Sequence, residues 1–196
     1  MKLDELETPV PLVDLDVMDR NLDKMAAYAA QHGLALRPHT KTHKSVYVGR
    51  EQVRRGAAGL TCATPHEATV MQQATDDLLV AYPVLGHAKL DRLFSLRDEV
   101  ALRVQLDSPE AIDQLSAAAV RHDRAVAVTI EFDAGMHRVG VPSLDDAIAL
   151  ARHVAATQSL PARCSSGCPV RPSSRRSSTC SVKYSPITRT KSARVS

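Results

Sequence analysis

Residues 101–132 read ALRVQLDSPEAIDQLSAAAVRHDRAVAVTIEF and hold one strand–helix–strand unit. Leu102-Arg103-Val104-Gln105-Leu106 is a short apolar-rich run and predicts a strand. Ser108-Pro109 opens a helix that runs to about Arg121. Serine can accept a hydrogen bond from the first helical turn, and proline sits where the helix has no use for an N–H. Ala125 to Phe132 predicts the next strand. Strands joined through a single helix run parallel, with a right-handed crossover.

The same unit repeats in both directions. Leu34-Ala35-Leu36-Arg37, Ala57 to Ala63 and Leu78-Leu79-Val80-Ala81-Tyr82 predict earlier strands. Helices are expected over Asp16–Gln31, ended by Gly33, and over Ser45–Arg55. Another opens at Thr64-Pro65-His66-Glu67, a capping box with proline in its first turn. Ala88–Arg97 is expected to be a helix with Leu90, Leu93, Phe94 and Arg97 on one side. A last helix starts at Ser143-Leu144-Asp145-Asp146 and ends near Thr157. Strand starts fall at about 34, 57, 77, 101 and 125, which implies a parallel α/β fold. A doubly wound sheet and a (β/α)8 barrel both fit. No glycine-rich loop follows the first strand, which weakens the dinucleotide-binding version. With a further strand at Pro11-Leu12-Val13, about six of the eight strands of a TIM-type barrel are expected. That fold typically needs about 250 residues.

Length and charge sharpen this. The 196 residues are 44% apolar and 24% charged, which excludes a wholly disordered chain. No apolar run reaches 18 residues, so no membrane-spanning helix is expected. The start, Met1-Lys2-Leu3-Asp4-Glu5, does not read as a secretory signal, so a cytoplasmic location is expected. The net charge of +3 is an average over unlike parts. Residues 161–196 hold 8 of the 25 Lys and Arg and none of the 22 Asp and Glu, so they carry +8 and residues 1–160 carry −5. That last segment also holds 10 Ser and 3 of the 4 Cys, and shows no helical or strand period. It reads as an unstructured basic tail following a domain of residues 1–160. With one aromatic residue, Tyr184, and no motif, the tail is not read as a nucleic-acid binder. Cys164, Cys168 and Cys180 lack the fourth ligand and the knuckle spacing of a zinc site.

Two stretches could carry chemistry. Arg37-Pro38-His39-Thr40-Lys41-Thr42-His43-Lys44 sits at a strand end, where parallel α/β folds place their sites. Neighbouring positive charge and partial burial can depress a lysine pKa and expose a nucleophilic amine. A basic solvent-facing loop fits the same spacing. Glu131-Phe132-Asp133-Ala134-Gly135-Met136-His137-Arg138-Val139-Gly140 also follows a strand. Its glycines permit a sharp turn, and Arg138 offers a fork of donors to an anionic oxygen. A plain turn in which Arg138 pairs with Asp133 fits equally. His66 and Glu67 read as helix-start residues, and His87, His122 and His153 as solvent-facing ones. His43 could contact a cofactor phosphate or be structural. Cys62 reads as a small buried residue.

The first stretch resembles the pyridoxal-phosphate lysine motif of the alanine-racemase-like barrels, in the branch of D-threonine aldolase and the metal-dependent D-serine dehydratases. The second is similar to the glycine-methionine-x-arginine-x-glycine segment of the same family. Residues 61–68 and 79–86 resemble its third and fourth strand ends, and the likeness covers about residues 7–160. The resemblance implies that Lys41 carries pyridoxal 5'-phosphate covalently. Lys44, a turn further on, matches the family position less well. His39 would lie beside the cofactor, Arg138 would approach its phenolic oxygen, and Tyr82 would line the same mouth. It further implies a lyase acting on a D-3-hydroxy amino acid, with glycine and an aldehyde as aldolase products. D-serine dehydratase, an amino-acid racemase and a non-catalytic pyridoxal-phosphate carrier are the alternatives. The partner implied is a small D-amino acid, with no nucleic acid or membrane, and the family is expected to be homodimeric.

The resemblance stops near Leu160. The family continues with further strands, a glycine-rich phosphate loop and a β-rich domain that supplies ligands for a divalent metal. None of these is recognisable after Leu160, so no metal ligand is assigned. The expectation is a reading frame shifted or ended there, and a chain that is sparingly soluble and without retro-aldol activity. One of the other two frames downstream of the Leu160 codon is expected to encode the glycine-rich segment.

Overall fold

The computed structural model describes residues 3–157. The expected domain boundary at residue 160 and the basic tail, with its three cysteines, lie outside the described residues.

Four parallel strands form one sheet in sequential order: β1 Leu60–Cys62, β2 Asp77–Val80, β3 Ala101–Leu106 and β4 Ala127–Ile130. Helices α1 Leu15–Gln31 and α2 Val46–Arg54 precede it. Helices α3 Pro65–Met71, α4 His87–Phe94 and α5 Pro109–Arg121 connect the strands, and α6 Leu144–Ala156 follows. This is the sequential strand–helix winding of an incomplete barrel.

The register sorts the sheet into two unlike faces. Leu60 lies beside Leu78 and Leu78 beside Leu102; Cys62, Val80, Val104 and Val128 form a second row, and Leu106 meets Ile130. These residues share one face, and those of β1, β2 and β3 are buried. Leu90 and Leu93 of α4 and Ile112 and Leu115 of α5 are buried in the same core. The other face carries Thr61, Leu79, Arg103 and Ala127 in one row and Gln105 and Thr129 in the next. Arg103 and Gln105 there are half-buried and Thr129 is exposed. A strand in a fully covered parallel sheet reads as continuously apolar, so this alternation marks a sheet with one apolar side.

Helix starts follow their side-chain caps. Asp14, Ser45, Thr64, Ser108 and Ser143 each accept a backbone N–H from the first turn of the helix that follows. α1 ends as expected at Gly33: with φ +62, its N–H reaches Ala30 and the next N–H, from Leu34, reaches Ala29. The capping box is displaced by one residue. Glu67 donates its N–H to Thr64, but its carboxylate accepts from Ala63 N rather than from Thr64 N.

Several strand expectations are corrected. About six strands were expected, and four form among the described residues. Leu34–Arg37 builds no ladder. The Leu36 carbonyl accepts from Ala58 and the Pro38 carbonyl from Thr61, leaving one bridge at His39–Thr61. Pro38 has no N–H to return, which breaks the ladder. Pro11–Val13 pairs with nothing among the described residues, and Leu12 and Val13 are exposed. Ala57–Ala63 shortens to β1 because Gly59 sits at φ +150, where a Cβ would strike the Arg37 guanidinium and the Asp77 carbonyl. α4 stops at Phe94, so Arg97 is not on its buried side but on the surface, paired with Asp76 at 2.9 Å.

One arginine closes the α4–β3 connection. Arg124 donates to the carbonyls of Phe94, the last residue of α4, and of Leu96, Arg97 and Val100 beyond it. Arg124→Ala is expected to lower the unfolding free energy by about 3 kcal/mol, since it strips donors from several carbonyls at once. Arg124→Lys should recover only part of this, because an ammonium lacks the planar fork. Urea unfolding midpoints of the two variants test it.

Candidate functional site

The strand C-terminal ends share one edge of the sheet, and the residues singled out from the sequence lie along it. His39 bridges to Thr61 beside β1. Tyr82 follows β2 by two residues, Asp107 follows β3 directly, and Arg138 lies in the loop after β4.

The lysine turn is a single 3-10 turn, Thr40–Thr42. Thr40 is fully buried, and its hydroxyl donates to the Thr61 carbonyl at 3.1 Å and lies 3.8 Å from Cys62 Sγ. This fixes the backbone of the next residue, and Lys41 points outward, exposed. The Lys41 amine makes no ion pair or hydrogen bond among the described residues. His39 Nδ1 accepts from the Lys41 backbone N–H at 3.2 Å, so the neutral ring carries its proton on Nε2. Lys44, at φ +49, faces Glu67 at 3.9 Å.

Burial lowers the His39 pKa, the Lys41 charge lowers it further, and Glu67 opposes both. The His43 pKa is also lowered by burial, against hydrogen bonds from Ser45 and Gln52. His43 is half-buried. Its Nδ1 accepts from Ser45 N at 3.1 Å and its Nε2 is buried, with the Gln52 carbonyl oxygen as the acceptor on offer. Cys62 is buried as expected, which pushes its thiol up to about 11.

These lowered histidine values set a pH dependence. Both imidazoles resist protonation in the folded chain relative to the ordinary 6.5. The unfolded chain therefore binds more protons just below that pH, so stability is full above about 6.5 and falls as the pH drops. A His39→Gln, His43→Gln double variant is expected to flatten the thermal midpoint between roughly pH 6.5 and 5. An unchanged slope in a melting series across that range would refute the assignment.

The loop after β4 is folded around Asp133. Its carboxylate accepts the N–H groups of Gly135, Met136 and His137, and these hold it below the usual carboxylate range. Asp133 therefore does not pair with Arg138, as the plain-turn reading required. Arg138 is exposed and makes no hydrogen bond or salt bridge among the described residues, but its charge acts on Glu131. Gly140, at φ +96, donates to Asp107 at 3.1 Å, and Val141 pairs back to Phe132. Glu131 is raised by burial and by Asp107, against Arg138, and its Oε2 is buried without a hydrogen bond.

Tyr82 lines a separate groove, with His66, Lys89 and Arg92. Sequence reading passed over Lys89, Arg92, Asp107 and Glu131. Asp107 and Glu131 had a usable signal, since both directly follow a strand. The groove residues had none, because the approach of two helix starts makes the groove. His122 and His153 are not merely solvent-facing: His122 stacks on Phe94 and pairs with Asp91, and His153 pairs with Asp113 at 2.6 Å. No group of three or more His, Cys, Asp or Glu among the described residues could hold a metal ion.

The parallel sheet winds in sequence order with the Lys41 turn held against β1, and comparison with known proteins gives the family. The model of the alanine racemase N-terminal domain matches residues 13–164, so the chain belongs to that family. It is 35% identical over 159 residues to the 3-hydroxy-D-aspartate aldolase of Paracoccus denitrificans, covering 80% of this chain and 41% of that one. It is 37% identical over 147 residues to the D-threo-3-hydroxyaspartate dehydratase of Delftia sp., covering 74% and 39%. The crystal structure of D-threonine aldolase from Filomicrobium marinum superimposes with a TM-score of 0.77 at 33% identity, covering 82% of this chain and 44% of that one. The chain spans about two-fifths of the length of the curated relatives it matches.

Proposed function

We propose that this chain carries the lysine-bearing part of a pyridoxal-phosphate-dependent lyase acting on D-3-hydroxy amino acids. The observation that carries the reading is the Lys41 amine, unpaired and exposed on a turn clamped to β1 through buried Thr40. The donor set fits the cofactor at two points. Lys41 offers a nucleophilic amine to an aldehyde, and Arg138 offers the guanidinium fork, which no hydrogen bond occupies among the described residues, to a phenolic oxygen. When bound, pyridoxal phosphate supplies the electron sink for negative charge developing at the substrate Cα.

The chain's own residues do the rest. Thr40 holds the Lys41 backbone in place. His39, its pKa lowered by burial and by the lysine charge, holds the Lys41 backbone N–H through Nδ1. Asp133 orders the loop that holds Arg138 and does not pair with it. The aldolase and dehydratase relatives both act on 3-hydroxy amino acids by their names, which supports that substrate class. Cleavage to glycine and an aldehyde is the first reading. Loss of the β-hydroxyl is the second, favoured by the likeness to the Delftia dehydratase. The test is incubation of a protein of the relatives' full length that carries this chain with D-threonine, D-serine and D-threo-3-hydroxyaspartate. Glycine with an aldehyde supports the aldolase and a keto acid with ammonia supports the dehydratase. L-enantiomer formation would overturn both in favour of a racemase.

A further inference from the structure

A groove of about 300 Å³ opens between the starts of α3 and α4. That is the lower end of the size range for small-molecule sites. Pro65, Pro83 and Val84 give it apolar walls. His66, Lys89 and Arg92 line it, and no carboxylate does. Lys89 and Arg92 stand three residues apart on α4, so they occupy the same helical face. Neither charged end has an ion pair or hydrogen bond among the described residues.

The acids that could neutralise them are engaged elsewhere. Asp91, between them in sequence, pairs with Arg121 and His122. Glu67 accepts from Ala63 N and faces Lys44. Two like charges in a walled groove without a counter-charge repel each other, and an anionic ligand relieves that. The groove adjoins the lysine turn. Ala63 and Thr64 form its edge directly after β1, and Glu67 ties that edge to Lys44.

We propose that this groove receives the distal carboxylate of a dicarboxylic substrate, so that the chain favours 3-hydroxyaspartate-like over neutral 3-hydroxy amino acids. The assignment of the amino end to Lys41 rests on the function proposed above. The carboxylate preference of the groove does not, and it is measured separately.

The test uses the full chain and two probes without an amine, succinate and its neutral diamide, followed by calorimetry. Succinate is expected to bind and the diamide not to. Lys89→Met and Arg92→Met are each expected to weaken succinate about tenfold, the scale of one charge-assisted hydrogen bond. Raised salt should weaken it too. Both positions are exposed, methionine is a good helix former, and circular dichroism checks that the fold is kept. Lys89→Glu is expected to abolish succinate binding. Equal binding of succinate and diamide, or binding unchanged in all three variants, would overturn the proposal. Uptake of pyridoxal phosphate is followed in the same samples. Succinate binding without cofactor uptake leaves the groove assignment standing and removes the lyase reading. Cofactor uptake without succinate binding does the reverse.

Discussion

Lys41→Ala is expected to abolish covalent capture of pyridoxal phosphate. Borohydride treatment of the loaded parent should fix one pyridoxyl group to the peptide containing residues 39–44, seen as a mass gain, and the variant should show none. The visible absorption of the loaded protein should vanish with it. The size of the effect follows from chemistry: condensation with the cofactor aldehyde, with loss of water, requires a primary side-chain amine, and alanine has none. Lys44→Ala is the informative control. Lys44 sits at φ +49 and faces Glu67, so its amine is directed to a carboxylate. Its loss should leave labelling near the parental level. Labelling that survives in Lys41→Ala and disappears in Lys44→Ala would reverse the assignment.

The second large effect is expected at Gly140. Its φ of +96 is one that L side chains rarely adopt, and a Cβ there would lie 2.7 Å from the Asp133 N and 2.9 Å from the Phe132 carbonyl carbon. Both are backbone atoms, so no side-chain rotation relieves the contact. Gly140→Ala is expected to cost about 3 kcal/mol, combining strain with loss of the Phe132–Val141 bridge and of the bond to Asp107. Chemical unfolding measures this. The damage should reach function as well, because the same loop holds Arg138. Gly135→Ala is the comparison: a Cβ there meets nothing within 4 Å, so only its φ of +110 is strained and a smaller loss is expected.

The helices were legible from the sequence because their signals are local. Ser45, Thr64, Ser108 and Ser143 cap the turns that follow them, and a capping residue acts within three positions. The strands were less so, because pairing depends on a neighbour far along the chain. Leu34–Arg37 has the composition of a strand and yet builds no ladder; the one bridge comes after it, at His39, since Pro38 cannot donate. The lysine turn was legible as a motif, but the role of Thr40 was not. Nothing local says that its hydroxyl reaches Thr61, 21 residues on. Arg124 was invisible for the same reason, being the donor to four carbonyls 24 to 30 residues away. The groove charges escaped notice because Lys89 and Arg92 look like any solvated helix face until α3 is set beside them.

The two-faced sheet has a consequence for how such a chain can change over generations. Leu60, Leu78, Val80, Val104 and Leu106 form the side on which the helices depend, and a shift of register by one residue would invert it. Substitution there threatens the fold itself. Thr61, Arg103, Gln105 and Thr129 alternate with them on the opposite side. Drift on that side can alter the chemistry presented to a ligand while the helix-bearing side keeps the chain folded. Adjacent positions on one strand thus answer to different selective pressures, and new specificity can be explored there without first re-establishing the architecture.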